Sequence, residues 1–531
     1  MANRLALSWS GLAVIAGACS RADHGPFRHV LLISLDTVRA DHLDPYGDKG
    51  LTPRIARLAE EGLIFEHVLT PAPTTLAAHT SIMTGSYPST HGVFRNGFRV
   101  NGENVMLAEI LADAGFHTAA FLGSFALEST FDFDQGFDAF DERFDQIITT
   151  DNVGRDQNQR TADKVTDAVL QHVGEVDAER LFLFVHYFDA HQPYEPPADF
   201  ARRLQRPGGI QSSTAKHMGE VIGEHTRAVL GRPKDAVTLI SEGLSRKLIE
   251  QGNADPTALD RDLAALYGAE VSFVDSQIAR LFDGLESEGV LDDALIVLTG
   301  DHGETFWEHG DFWNHGLWVY DSTTRVPLIL RFPDARGAGT TVSAPVSTVD
   351  IVPTLCELLG LPVPERCEGV SLTPAVADTA FDRGPVFSQA TQPFRVERWA
   401  RVPWANLLKP RAVREGRWKY VQCPYLAGSP EDAFTKAPYE QLFDMQADPG
   451  ERSNLLENEL SAEAAQAYGK LRGELEGWAR SVRPLLTEPL MGEQAREVDK
   501  ILKSLGYTGA QETKPKKADR DERVDQEGDG E

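Results

Sequence analysis

The chain has 531 residues, 41% of them hydrophobic and 25% charged, and a formal net charge of −28. That length suits one large domain plus a smaller one. So acidic a surface argues against nucleic acid and anionic membrane as partners, but it leaves room for an anionic substrate, because a bound cation reverses the field inside one pocket.

Residues 1–18 read as a signal peptide. Arg4 supplies a short charged region, Leu5 to Ile15 is mostly apolar, and Ala16-x-Ala18 fits a cleavage site. Cys19 follows directly, as in a lipoprotein box, so the expectation is an exported protein, periplasmic or anchored through lipid on Cys19. The apolar run is too short to span a membrane. The other cysteines, Cys356, Cys367 and Cys423, match no zinc ribbon or redox pair; Cys356 reads as a buried hydrophobe, and a Cys356–Cys367 disulfide stays open.

Residues 28–35 form a continuous apolar run typical of a buried parallel strand, with Asp36 at its end. A helix is expected over 53–63, with Ile55, Leu58, Ala59 and Leu63 on one face, and others over 76–84 and 105–112. Strands follow at 118–122, 181–185, 294–298 and 326–331. This alternation predicts a three-layer α/β domain, a central sheet flanked by helices, over residues 28–385. Ligands bind beyond the carboxyl ends of such strands, where Asp36, the His186–His191 region and Asp301 fall. Residues 200–258 read as an insertion and 259–288 as a long amphipathic helix. A smaller α+β subdomain is expected over 386–505, with strands at 417–421 and 439–443 and helices at 460–480 and 492–505. The charged tail, 506–531, reads as disordered.

Four stretches follow one pattern in order. They are Asp36-Thr37-x-Arg39-x-Asp41; Thr75-x-x-x-His79 through Thr84-Gly85 to His91-Gly92; Thr299-Gly300-Asp301-His302-Gly303-Glu304; and Asp350 through Gly369 to Leu372. With Trp418-Lys419-Tyr420 and Asp448-Pro449-x-Glu451 they resemble the sulfatase family over about residues 28–456. The resemblance implies an alkaline-phosphatase-like fold and a metal-dependent ester hydrolase acting on a small-molecule, glycan or lipid ester.

The departures from that family carry information too. Sulfatases hold Cys or Ser at the nucleophile and convert it to formylglycine. Here the position is Thr75, whose β-carbon bears a methyl group, and Ala77 and His79 replace the Pro and Arg of the maturation motif. Thr75 and His79 are similar instead to the Thr-x-Pro-x-His motif of the nucleotide pyrophosphatase/phosphodiesterases. That family has an Asn 21 residues after its Thr, and Asn96 stands 21 residues after Thr75. The resemblance therefore implies Thr75 and Asn96 as catalytic residues, and Asp36, Thr75, Asp301 and His302 as ligands of one metal. A second metal would fall to Asp189, His191 and His315, the two histidines also meeting substrate.

Mixed imidazole and carboxylate ligation suits Zn²⁺ or Mn²⁺ better than Ca²⁺. Metal coordination would activate the Thr75 hydroxyl, and Asn96 would stabilise charge growing in the transition state. His79 and His91 read as loop braces. Phosphate-ester hydrolysis through a covalent Thr75 intermediate is the leading expectation. Sulfate-ester hydrolysis without formylglycine, phosphoryl or head-group transfer, and a catalytically dead binding protein are its rivals.

Overall fold

The computed structural model describes residues 27–145, 159–192, 194–204, 256–306, 308–310, 315–391, 409–423, 439–481 and 484–485. The signal segment with Cys19, residues 205–255 of the insertion, the 492–505 helix and the charged tail lie outside the described residues.

An eight-stranded sheet forms the centre. In chain order its strands are β1 (His29–Leu35), β2 (Leu63–Phe65), β4 (His117–Phe121), β5 (Ala139–Asp141), β6 (Leu181–Tyr187), β7 (Ala294–Gly300), β9 (Leu328–Arg331) and β10 (Thr340–Val342). Their spatial order is β10-β2-β9-β7-β1-β6-β4-β5. Only β9 runs against its neighbours β7 and β2. A second sheet joins β3 (Val68–Leu69), β8 (Arg325–Val326) and β11 (Val346–Ser347). Four antiparallel strands close the chain: β12 (Val386–Gln389), β13 (Arg411–Glu415), β14 (Trp418–Cys423) and β15 (Tyr439–Asp444).

The central strands are buried on both faces because each alternates two apolar sets. Val30 and Leu32 of β1 join Phe182 and Phe184 of β6 in one core; Leu31, Ile33 and Leu35 join Leu183, Val185 and Tyr187 in the other. The helix Pro256–Ser287 covers the second face with Leu266, Tyr267, Val274, Ile278 and Leu281. In the C-terminal sheet, Val413, Tyr420 and Leu442 pack on Leu471 and Leu475 of the helix Ala462–Ser481. The opposite face, with Ala412, Val421 and Phe443, packs on Leu317, Trp318, Val319 and Tyr320.

Two expectations need correction. The expected strand 326–331 is broken at Pro327 into β8 and β9, which enter different sheets; proline offers no amide to a ladder. The helix expected over 53–63 ends at Glu60, and Leu63 opens β2 instead. Cys356 and Cys367 are both free thiols, so no disulfide joins them. Gly85 ends the helix Thr75–Thr84 at φ 67°, with the Cys367 sulfur beside it, which leaves no room for a β-carbon.

Candidate active site

Three neighbouring parallel strands deliver the site. Ser34 of β1 stands opposite His186 of β6, and Leu35 stands opposite Gly300 of β7. The strand ends are therefore level, and the residues that follow, Asp36 and Asp301, meet beyond one sheet edge. Asp36, Asp301 and His302 are fully buried, and each offers a ligand atom within 4.8 Å of the others.

Their hydrogen bonds orient them. Thr37, held at φ 61°, donates its hydroxyl to Asp36 Oδ1 at 2.6 Å and its amide to Asp301 Oδ1 at 3.0 Å. The His302 amide donates to the same Asp301 oxygen at 2.6 Å. Among the described residues Asp301 Oδ2 then has no hydrogen-bond partner, and neither has His302 Nε2, 3.4 Å away. His302 Nδ1 lies 3.0 Å from the Gly303 carbonyl. A carbonyl only accepts, so Nδ1 carries the proton and Nε2 presents its lone pair. His186 Nε2 donates to Asp36 Oδ2 at 3.1 Å.

Ionisation follows the same geometry. Burial, and then the imidazole of His315, push His302 down to about 3, so it is a neutral donor at ordinary pH. Burial works to raise Asp36, but the His186 hydrogen bond and the surrounding imidazoles outweigh it and hold it ionised. Burial, and then the charge of Asp36, raise Asp301 well above the carboxylate range. Two facing buried carboxylates cannot both ionise without a cation between them. An orphaned carboxylate oxygen beside an orphaned imidazole lone pair, both buried, is costly unless something fills the gap. The donor set fits a divalent cation.

Thr75 is the first residue of the helix Thr75–Thr84 and is fully buried. His79, one turn on, lies with Nδ1 2.8 Å from the Thr75 carbonyl and 3.6 Å from Asp301 Oδ2. Its Nε2 accepts from the Ser34 hydroxyl at 2.8 Å. His79 thus braces the helix start against the end of β1. Burial, and then the charge of His186, push its pKa down to about 3. His91 also braces a loop, its Nδ1 accepting from the Val93 amide at 3.1 Å and its Nε2 2.9 Å from the Ser81 hydroxyl. Asn96 is 4% exposed; its Oδ1 accepts from the Leu76 amide at 2.7 Å, and its buried Nδ2 has no hydrogen-bond partner among the described residues.

His315 and His191 line the same place. The His315 ring centre is 4.4 Å from that of His302 and 5.3 Å from that of His191. Nδ1 of His315 lies 3.2 Å from Glu304 Oε1, and Nδ1 of His191 2.7 Å from the Gln192 carbonyl. Asp189 lies outside the group of Asp36, Asp301 and His302. Its Oδ1 accepts from the amide of Ala162, the first residue of the helix Ala162–Glu175, at 3.0 Å. An aspartate at a helix start satisfies an orphan amide through this one oxygen, while its buried Oδ2 has no hydrogen-bond partner among the described residues. Among the described residues, one group of carboxylate and imidazole atoms converges, that of Asp36, Asp301 and His302.

Two residues of the site escaped the sequence reading. Thr37 bonds Asp36 and Asp301, the two carboxylates of the candidate metal site; the signal was its replacement of the second Asp of the sulfatase opening. Glu304 holds His315 and, at 3.4 Å, accepts from the Tyr194 hydroxyl; burial pushes its carboxyl up to about 8. It lies inside the Asp301-to-Glu304 motif, but spacing alone gave it no partner.

Residues 28–361 match the sulfatase family. The chain belongs to the sulfatase family. Residues 307–478 also match the C-terminal region of N-sulphoglucosamine sulphohydrolase. Among its relatives is a choline-sulfatase of Rhizobium meliloti, 28% identical over 463 residues, covering 81% of this chain and 82% of that protein. An N-acetylglucosamine-6-O-sulfatase of Bacteroides thetaiotaomicron is 24% identical, over 70% of this chain and 75% of its own length. The fold is that of a phosphonate monoester hydrolase of Agrobacterium radiobacter, with a TM-score of 0.62 and 22% identity over 88% of this chain and 98% of that one. It is equally that of a protein solved with its substrate D-glucosamine-2-N,6-O-disulfate, with a TM-score of 0.63 and 21% identity over 86% and 98%. This member of the sulfatase family is an ester hydrolase.

Proposed function

We propose that this sulfatase-family enzyme hydrolyses phosphate or phosphonate esters in preference to sulfate esters, through a covalent intermediate on Thr75. The observation that carries the reading is the threonine itself, placed where its backbone is tied through His79 to Asp301. Asp36, Asp301 and His302 would hold a divalent cation, Zn²⁺ or Mn²⁺ over Ca²⁺ because of the imidazole donor, which when bound acidifies a hydroxyl and neutralises charge on the ester.

The chain's own residues supply the rest. The Thr75 hydroxyl loses its proton and attacks phosphorus, the bond to the leaving oxygen breaks in line and that alkoxide takes up a proton to leave as the alcohol, and water then cleaves the phosphoryl–Thr75 bond and returns the hydroxyl. Thr75 opens a ten-residue helix, whose N-terminal dipole favours the negative charge that accumulates there. Asn96, fixed by the Leu76 amide, holds its Nδ2 ready for a non-bridging oxygen. His191 and His315, their pKa values lowered by burial, are neutral at ordinary pH, and the one N–H of His191 is given to the Gln192 carbonyl, so its other nitrogen accepts. A sulfated threonine has no second hydroxyl with which to expel sulfate, and this handicaps the sulfate ester.

The names of the relatives favour the second reading, a sulfate-ester hydrolase that uses Thr75 directly, and they support a small-molecule or glycan substrate. We also place the mature protein outside the cytoplasm on the strength of residues 1–18; an intact Met1 on cytoplasmic protein, seen by mass spectrometry, would reject this. The central test is turnover of aryl esters by Thr75→Ala and Thr75→Ser. Activity should be nearly lost in the first and partly kept in the second; unchanged Thr75→Ala would remove the nucleophile.

A further inference from the structure

Thr37 stands in a backbone conformation that threonine avoids. Its φ is 61°, in the left-handed region, where glycine, asparagine and aspartate sit easily and a β-branched side chain does not. The surrounding structure holds it there. The hydroxyl of Tyr267, buried on the helix Pro256–Ser287, donates to the Thr37 carbonyl at 2.9 Å and accepts from the Arg39 amide at 2.9 Å. Tyr267 is itself packed edge-on against His42 and Phe306, with ring centres 5.0 and 5.1 Å away. Thr37 is fully buried. Strain that the fold enforces in this way, beside a reacting site, points to a use for the residue.

The use lies in what the residue leaves to a cation. The Thr37 amide donates to Asp301 Oδ1 at 3.0 Å, and the His302 amide donates to the same oxygen at 2.6 Å. Two donors take up both lone pairs of that oxygen, so Asp301 meets a cation through Oδ2 alone. The Thr37 hydroxyl donates to Asp36 Oδ1 at 2.6 Å, and His186 Nε2 donates to Asp36 Oδ2 at 3.1 Å. A cation spanning both Asp36 oxygens has to compete with those two bonds. Ca²⁺ takes about six to eight oxygen ligands and often a bidentate carboxylate. Zn²⁺ takes about four, nitrogen among them. Aspartate at position 37 would suit the backbone and add an anionic oxygen; threonine brings a donor that occupies one.

We propose that Thr37 is a positioning residue that selects the metal: by occupying one oxygen on each of Asp36 and Asp301, it holds both carboxylates to single-oxygen coordination and favours a four-coordinate ion with an imidazole ligand over Ca²⁺. This rests on the cation proposed for Asp36, Asp301 and His302. The backbone half of the device is the amide, which the left-handed turn aims at Asp301. The side-chain half is the hydroxyl, a donor that aspartate lacks.

Calorimetry of Zn²⁺ and Ca²⁺ binding to the metal-free full chain tests it. Thr37→Val keeps the shape of the side chain and removes the donor; its ratio of Zn²⁺ to Ca²⁺ affinity should fall by ~10-fold or more, the usual effect of losing a partner that orients a ligand. Thr37→Ser keeps the donor and should hold the ratio within ~3-fold of wild type. Thr37→Asp, whose side chain suits the left-handed turn, guards against a folding defect in the valine variant and should raise Ca²⁺ affinity by ~10-fold or more. A valine variant with the wild-type ratio, a serine variant that loses it as valine does, or an aspartate variant that gains no Ca²⁺ affinity would overturn the proposal. Co²⁺ absorption gives a readout that needs no variant. The wild type should show the intense visible bands of a four-coordinate ion, and the weak bands of a six-coordinate ion would contradict single-oxygen coordination. A wild type that binds no Zn²⁺ would remove the cation itself and the role of Thr37 with it, whereas Zn²⁺ binding with an unchanged valine ratio would discard Thr37 alone.

Discussion

Asn96 reaches the first turn of the Thr75 helix and accepts from the Leu76 amide at 2.7 Å, so its orientation is set before any substrate arrives. The Nδ2 that remains is buried and has no hydrogen-bond partner among the described residues. Asn96→Ala should lower kcat by about a hundredfold or more while changing KM much less, since a preorganised donor acts on charge that develops in the transition state. Steady-state kinetics on an aryl phosphate decide this; a kcat within about threefold of wild type would release Asn96 from that role.

Removal of metal should stop the reaction. Chelated protein is expected to be inactive, with Zn²⁺ or Mn²⁺ restoring turnover and Ca²⁺ alone failing to do so. Asp301→Asn and His302→Gln should each lose bound metal by elemental analysis. Full activity after exhaustive chelation, or recovery with Ca²⁺ alone, would contradict the mixed-donor assignment.

Lys419 is wholly buried, with Nζ 2.7 Å from Asp321 Oδ1 and 2.7 Å from Glu451 Oε1, and Arg414 adds a contact of 3.1 Å to Asp321 Oδ2. This cluster fastens β13 and β14 to the segment that follows His315 to Tyr320. Lys419→Met should cost about 3–5 kcal/mol, because it strands buried carboxylates rather than replacing a whole cluster. Urea titration reads the loss, and a change under about 1 kcal/mol would show that the carboxylates find other partners.

Asp275 carries a pH signature. It is 3% exposed and accepts from the amides of Arg54 and Ile55, at the start of the helix Pro53–Glu60. Burial pushes its carboxyl up to about 6. The folded state therefore holds this proton more tightly than the unfolded chain does. The stability this confers is full below the unfolded value near 4 and is lost as pH rises through about 6. Asp275→Asn removes the titrating group but turns an NH2 toward one of the two amides, so it should be less stable than wild type near pH 4, by a margin that narrows as pH rises to 7. Denaturation at several pH values checks this; a parallel pair of curves would mean that Asp275 titrates alike in both states.

The sheet was legible because its strands are runs such as Leu31–Leu35 and Leu181–Val185, too apolar and too short to be anything but buried strands with polar residues at their ends. The metal-facing group was legible for the same reason: Asp36 and Asp301 each follow such a run directly. Strand order was not, since nothing local in β9 says that it enters antiparallel between β7 and β2. The bond from the Ala162 amide to Asp189 was not legible, because a carboxylate two residues before a histidine looks the same whether or not it also meets a distant helix start. Thr37 and Glu304 were overlooked because their roles lie in partners hundreds of residues or one folded loop away, which spacing does not encode.

The most direct measurement of the central claim is a comparison of kcat/KM for an aryl phosphate or methylphosphonate ester against the aryl sulfate with the same leaving group, on metal-loaded enzyme. A threonine nucleophile predicts that the phosphorus ester is turned over faster, and that Thr75→Ala loses most activity on both. A sulfate ester preferred over its phosphorus counterpart would contradict that claim, even with the fold and the metal site unchanged.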